Sequence, residues 1–187
     1  MTAANGTGFC IWLTGLSGSG KTTTALAISL ALSAHGRRAT VLDGDEVRRT
    51  ESPSLGYSRA DRSLHARRIG AMARDVVLRG EVAVCAVVSP FIADREACRA
   101  LIGPERFVEV FVNTPLATCE KRDPKGLYAR ARRGEITQMC GIDLPYEEPP
   151  SPHLVLDTVS SPVATSVERI VDCLIQHQML AGAQHGR

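Results

Sequence analysis

Two periods alternate along this chain: short unbroken apolar runs, and longer stretches whose apolar residues return every three or four positions. They are the signatures of buried strands and of helices packed on one face. Phe9-Cys-Ile-Trp-Leu-Thr14 reads as a buried strand and Thr23 to His35 as the helix that follows it. Gly36-Arg-Arg38 ends that helix, and Ala39-Thr-Val-Leu42 forms a second apolar strand. Ser58-Arg-Ala-Asp61 has the form of a capping box and predicts a helix running to about Arg79. Val82-Ala-Val-Cys-Ala-Val-Val88 is apolar without alternation, as a central strand must be when helices cover both of its faces. Ala93 to Ile102 then reads as a helix, Phe107 to Val112 as a strand, and Thr114-Pro115 as the cap and first residue of another helix. Leu154-Val-Leu-Asp157 supplies a fifth strand, and Val163 to Leu180 a closing helix with Val167, Ile170, Val171, Leu174 and Ile175 on its apolar face.

Strands alternating with helices, with no repeat and no linker, predict a single α/β domain over 1–187: a doubly wound, parallel five-stranded sheet in three layers. Periodicity leaves the strand order open. The stretch from Arg122 to Pro150 breaks the pattern. It is basic, with Lys125, Arg130, Arg132 and Arg133, and is punctuated by Gly126, Gly134, Gly141, Pro145, Pro149 and Pro150. It reads as a mobile lid over about 123–150, a device that would exclude water and add positive charge over a transferred group.

Composition narrows the class. At 187 residues the chain is sized for one well-cored domain. Hydrophobic residues at 44% and charged residues at 22% are ordinary for a soluble protein, and a net charge of +2 is too small to point to nucleic acid. No apolar run is long enough to cross a bilayer, and Met1 to Gly8 lacks the form of a signal peptide. Six cysteines without a C-x-x-C pair read as small buried thiols in a reduced, cytoplasmic setting. The small polar tail from Ala181 to Arg187 is expected to be disordered.

The chemistry begins at the first strand-to-helix turn. Gly15-Leu-Ser-Gly-Ser-Gly-Lys-Thr22 fits G-x-x-x-x-G-K-[ST] in the context that motif needs. Backbone N–H groups across Gly15, Leu16, Ser17, Gly18, Ser19, Gly20 and Thr23 are expected to converge on phosphate oxygens at a helix N-terminus. Lys21 would reach the β- and γ-phosphates of ATP, and the Thr22 hydroxyl would be a ligand for Mg²⁺. Asp43 and Asp45 stand at the end of the second predicted strand, the edge that faces the ligand crevice in open α/β sheets. Arg48, Arg49, Arg59, Arg62, Arg67 and Arg68 make the next region locally basic, as suits an anionic substrate. The strand over 82–88 ends in Ser89-Pro90 rather than an acid, which shifts metal support toward Asp43 or Asp45.

Taken together these residues resemble the adenylylsulfate kinase family, with its P-loop nucleoside triphosphate hydrolase fold. The likeness runs from about Phe9 to Leu180. It includes Leu42-Asp-Gly-Asp45, Leu55-Gly-Tyr-Ser58, Asp61-Arg62, Ser89-Pro90, Cys119-Glu-Lys-Arg-Asp123, Lys125-Gly-Leu-Tyr128, Gly141-Ile-Asp143 and Pro145-Tyr-Glu147. The resemblance implies ATP-dependent phosphorylation of the 3′-hydroxyl of adenylylsulfate and a homodimer. It implies Asp45 as the catalytic carboxylate with Lys21 and Asp43 in support, Thr22 and Asp43 at the metal, and Arg122, Ser161 and Val163 toward the ATP base. It places Asp45, Arg48, Tyr57, Arg62, His65, Val88, Ser89, Lys125 and Met139 on the substrate. Some members carry a phosphoserine at the position of Ser89; direct in-line transfer needs no covalent step, and no strong base adjoins Ser89 in sequence.

The departures fall on the substrate side. The family usually has Phe at the positions of Tyr57 and Met139, two rings that sandwich the adenine of adenylylsulfate. Tyr can still stack, whereas Met offers softer, unoriented contact. The usual Asn is His65, which would bring charge near neutral pH. Cys140 replaces a usual Thr, Thr50-Glu51 a usual Gly-Leu, and the usual N-terminal extension is shortened to Met1–Gly8. Two alternatives therefore stand beside the leading one: a kinase of this scaffold acting on another hydroxyl compound, and a nucleotide-dependent regulatory module.

Overall fold

The computed structural model describes residues 7–181; residues 1–6 and 182–187, and with them nearly all of the tail expected to be disordered, lie outside the described residues. Five strands, β1 (Phe9–Thr14), β2 (Ala39–Asp43), β3 (Val82–Ala86), β4 (Phe107–Val112) and β5 (Leu154–Leu156), form one sheet. Its order is β2-β3-β1-β4-β5 and every pair is parallel. The sequence expectation of five strands in an α/β fold holds.

Helices cover both faces. Phe9, Ile11 and Leu13 of β1 pack with Ile28 and Leu32 of α1 (Lys21–Ala34) and with Ile170 and Leu174 of α7 (Val163–Gln176). Cys10 and Trp12 of the same strand face the other way, into Ile69 and Ala73 of α3 (Arg59–Leu78) and Cys98 of α4 (Ile92–Ile102). That two-sided burial is why the strands read as unbroken apolar runs, each buried Leu or Ile contributing about 1.5–3 kcal/mol. A Cβ on Gly70 would fall 2.8 Å from the Cys98 sulfur, so glycine sets the close approach of α3 to α4.

Several boundaries differ from the sequence reading, each for a local reason. A helix not anticipated, α2 (Gly44–Thr50), follows β2 directly, because the Asp43 carboxylate caps it by accepting from the N–H groups of Asp45 and Glu46. The helix expected from Thr114-Pro115 begins one residue later, as α5 (Leu116–Arg122) with Pro115 at its cap; the Thr114 hydroxyl is instead committed to the Ser19 carbonyl at 3.0 Å. β3 stops at Ala86, although the Val87 N–H still donates to Leu13. The closing helix ends at Gln176 rather than Leu180, where Gln178 takes a left-handed φ of +58° and the Met179 N–H turns back to the Leu174 carbonyl. Within the predicted lid lies one short helix, α6 (Leu127–Arg132).

The connections create the crevice. α1 carries the chain from β1 outward to β2, whereas α4 carries it from β3 across β1 to β4. This reversal opens a gap above the C-terminal ends of β1 and β3, where an open α/β sheet binds its ligand.

Candidate active site

A single cavity of about 1270 Å³ occupies that gap. From the glycine-rich turn, Ser17, Gly18, Gly20, Lys21, Thr22 and Thr23 line it. Gly15, Leu16 and Ser19 do not; they lie behind the wall and shape the turn. A Cβ on Gly15 would sit 2.5 Å from the Val112 carbonyl, and its φ of +148° suits glycine. The Ser19 carbonyl accepts from the hydroxyls of Thr114 (3.0 Å) and Thr158 (2.9 Å), which pins the turn to the ends of β4 and β5. The Lys21 ammonium folds over the loop, donating to the carbonyls of Gly15 (2.9 Å) and Leu16 (2.6 Å). Burial lowers its pKa to about 8, against the opposing field of Asp45.

The two carboxylates play different structural parts. Asp43 accepts from the Thr22 hydroxyl at 2.6 Å while capping α2 with its other oxygen. Asp45 sits in the first turn of that helix, its side chain 62% exposed, and is ion-paired with Lys125, which also lines the cavity. Asp43 is thus tied to the phosphate loop by a hydrogen bond, while Asp45 is paired with Lys125 and acts on Lys21 through its field.

Arg122 donates to the Gly18 carbonyl and to the hydroxyl and carbonyl of Thr158, and with Ser161 and Val163 it lines the cavity. Arg48, Tyr57, Arg62, His65, Val88, Ser89, Lys125 and Met139 line it as well. There Arg48 and Arg62 lie over the Tyr57 ring at 4.8 and 5.3 Å, holding an aromatic side chain that is half exposed. Arg49 also reaches the cavity, whereas Arg59, Arg67 and Arg68 do not; Arg59 covers Phe91, and Arg68 donates to Glu51 and Ser52. Met139 is buried against Tyr128 and Cys119, with Leu16 of the phosphate loop beside them.

His65 corrects an expectation. It carries no charge near neutral pH, because burial, reinforced by Arg48, lowers its pKa to about 4. Its Nε2–H donates to the Gly44 carbonyl at 2.9 Å, leaving Nδ1 buried with no partner among the described residues. The unfolded chain takes up this proton near pH 6.5 and the folded chain only near pH 4. Stability contributed by neutral His65 is therefore present above pH 6.5 and is lost as pH falls toward 4. The urea midpoint of the wild-type protein should drop between pH 7 and pH 5, and His65→Asn should shrink that drop; an equal drop in both would assign the titration elsewhere.

Ser89, with a φ of +38°, belongs to a buried network invisible in the sequence. Its hydroxyl accepts from the Trp12 indole (3.0 Å) and donates to the Thr14 hydroxyl (3.0 Å), which also bonds the Tyr146 hydroxyl (2.8 Å). No carboxylate or imidazole stands among those contacts. Arg95 holds the Ser89 carbonyl at 2.8 Å, the Glu147 carbonyl at 2.8 Å and the Glu109 carboxylate at 2.7 Å. Glu147 in turn accepts from the Ile92 N–H at the start of α4. Arg95, Glu109 and Tyr146 support the site from behind, and only the apolar flanks of Glu109 hinted at its burial.

Residues 7–157 match the family model described as Adenylylsulphate kinase. The chain is 47% identical over 168 residues to the adenylyl-sulfate kinase of Pseudomonas aeruginosa, covering 90% of this chain and 86% of that one. With the Bacillus licheniformis adenylyl-sulfate kinase the identity is 54% over 148 residues, 79% of this chain and 75% of the other. Among solved structures it is similar to the Mycobacterium tuberculosis APS kinase CysC in complex with AMPPNP and APS. The TM-score is 0.87 at 40% identity, over 91% of this chain and 99% of that one. On the match of family and fold, and with the phosphate loop, both carboxylates and the basic wall gathered in one cavity, the chain belongs to the adenylylsulfate kinase family.

Proposed function

We propose that this chain transfers the γ-phosphoryl group of ATP to the 3′-hydroxyl of adenylylsulfate, giving 3′-phosphoadenylylsulfate and ADP. The observation that carries the reading is the placement of Asp45: one carboxylate in the same cavity as the phosphate loop, ion-paired with Lys125 and near enough to Lys21 for its field to act on that ammonium. A ribose hydroxyl is a poor nucleophile until its proton has somewhere to go, and Asp45 is the group positioned to accept it. The hydroxyl oxygen then bonds to the γ-phosphorus as the bond to the bridging β–γ oxygen breaks, and ADP departs with that electron pair.

In this reading Lys21 swings from the loop carbonyls onto the phosphates, with the turn from Gly15 to Thr23 around them. Arg122, Ser161 and Val163 receive the ATP base. The Thr22 hydroxyl and Asp43 carboxylate, 2.6 Å apart, are hard oxygen donors of the kind that would hold Mg²⁺. Bound there, it would neutralise charge building on the transferred group. Arg48, Arg62 and Lys125 face the anionic part of the acceptor, while Tyr57 and Met139 enclose its base, with His65, Val88 and Ser89 completing the pocket. Residues 123–150 act as the lid, and the whole of 1–187 acts as one domain.

Six free cysteines, all buried, suit a reducing cytoplasm, and among the described residues no helix is long and apolar enough to cross a membrane. The same reading carries the homodimer typical of the family; a monomer by sedimentation at working concentration would count against it. Met139 in place of an aromatic ring favours the second reading, an acceptor other than adenylylsulfate. Purified protein incubated with Mg²⁺-ATP and a panel of hydroxyl acceptors decides between them. Phosphorylation of adenylylsulfate at its 3′-hydroxyl is expected; turnover confined to another acceptor would overturn the assignment, and transfer to none would favour a regulatory module.

A further inference from the structure

We infer that Asp143 is a positioning residue for the acceptor side of the cleft, fixing the turn at Gln138-Met139 so that Met139 stands as part of the pocket wall. The inference rests on the adenylylsulfate reading above. Gln138 has a φ of +61°, left-handed backbone that a residue with a Cβ adopts only when something holds it there. The Asp143 carboxylate is what holds it: one oxygen accepts from the Gln138 N–H and the other from the Met139 N–H, both at 2.6 Å. Short bonds from two successive amides to one carboxylate are charge-assisted, and they leave neither amide free to turn outward.

The same turn is gripped from the other side. Arg62 donates from Nη2 to the Gln138 carbonyl at 2.6 Å and from Nε to the Tyr57 carbonyl at 3.0 Å. One guanidinium therefore ties the loop bearing Tyr57 to the turn bearing Met139, and one carboxylate sets the shape of that turn. The Met139 carbonyl adds three contacts, accepting from the N–H groups of Ile142 (3.0 Å), Asp143 (3.2 Å) and Leu144 (3.2 Å). Met139 itself packs on Tyr128, whose hydroxyl donates to the Ser17 carbonyl in the phosphate loop. The separation of duties follows. Asp143 is solvent-exposed and lines no part of the cavity, so it acts on the acceptor only through the turn, while the phosphate loop is held by Thr114 and Thr158 without it.

The test uses the full chain and steady-state kinetics with each substrate varied in turn. Asp143→Ala should raise the KM for adenylylsulfate about tenfold, the scale of one hydrogen bond to a charged group, with kcat and the KM for ATP within about twofold of wild type. Asp143→Asn keeps one acceptor oxygen and should show a smaller rise, about threefold. Adding Gln138→Gly to Asp143→Ala removes the left-handed penalty and should recover most of the lost affinity. A residue that merely supported the fold would move both KM values and thermal stability together, with no rescue by glycine. Amide hydrogen exchange at Gln138 and Met139 should quicken in Asp143→Ala. Wild-type turnover of adenylylsulfate with an unchanged KM in Asp143→Ala, or unchanged exchange at those amides, overturns the positioning role alone. Failure of the wild-type protein to phosphorylate adenylylsulfate would overturn the function proposed above, whatever the exchange rates report.

Discussion

Asp45→Asn is expected to lower turnover by roughly a hundredfold or more while leaving the affinity for ATP unchanged. The substitution keeps the size of the side chain and removes its capacity to take a proton. Because α2 is capped by Asp43 and not by Asp45, the helix that carries the site should survive the change. ATP binding should survive as well, since the loop is shaped by Lys21, Thr114 and Thr158 and the Asp43–Thr22 bond remains. What changes is the barrier to transfer: a hundredfold loss corresponds to about 2.7 kcal/mol of transition-state stabilisation. Lys125 loses its ion pair in the same variant, yet that pair lies in solvent and contributes little to stability. Single-turnover phosphorylation measured beside nucleotide titration separates the two quantities. Near-normal turnover would remove Asp45 from the role of base; lost ATP affinity would mean that the two carboxylates are not divided as the geometry divides them.

The legibility of this chain follows from where its information is local. The sheet was readable because strands covered on both faces must be apolar at every position, and the phosphate loop because its spacing is fixed by the anion it wraps. The short helix α2 was not, since it owes its existence to one carboxylate, Asp43, at the end of a strand rather than to any apolar period. Most of the expected site residues line one cavity because the topology brings the ends of β1 and β3 beside residues 123–150, with Gly15, Leu16 and Ser19 behind its wall, but their states are not readable in sequence. His65 is neutral on account of Arg48 and its burial, neither of which spacing reveals. The turn at Gln138 contains no glycine at its left-handed position, so a turn signal was missing where one was needed. Arg95 and Glu109 lie on different elements and meet only in the folded chain.

Arg95→Met is expected to cost about 3–5 kcal/mol of stability, because it leaves the buried Glu109 carboxylate without its hydrogen-bonded ion-pair partner and with only the weaker field of Arg99. Arg95 is 2% exposed and Glu109 7%, so water cannot replace the lost bond without opening the packing between α4 and β4. Two carbonyls, Ser89 and Glu147, lose their donors as well. With total stabilities of about 5–15 kcal/mol for a domain, this one change removes a large share. The companion variant Arg95→Met/Glu109→Leu removes both charges together, and it should regain much of the loss, since a buried ion pair replaced by apolar groups of similar volume is often close to neutral. Recovery of stability need not recover activity. In the double variant nothing holds the Ser89 carbonyl or the Glu147 carbonyl, and Ser89 sits at the cavity with its φ of +38°. Urea denaturation of the two variants, followed by kinetics on the stable one, therefore distinguishes a pair that only supports the fold from one that also sets Ser89: restored folding with a raised KM for the acceptor is the expected result, and restored folding with wild-type kinetics would confine Arg95 to the core.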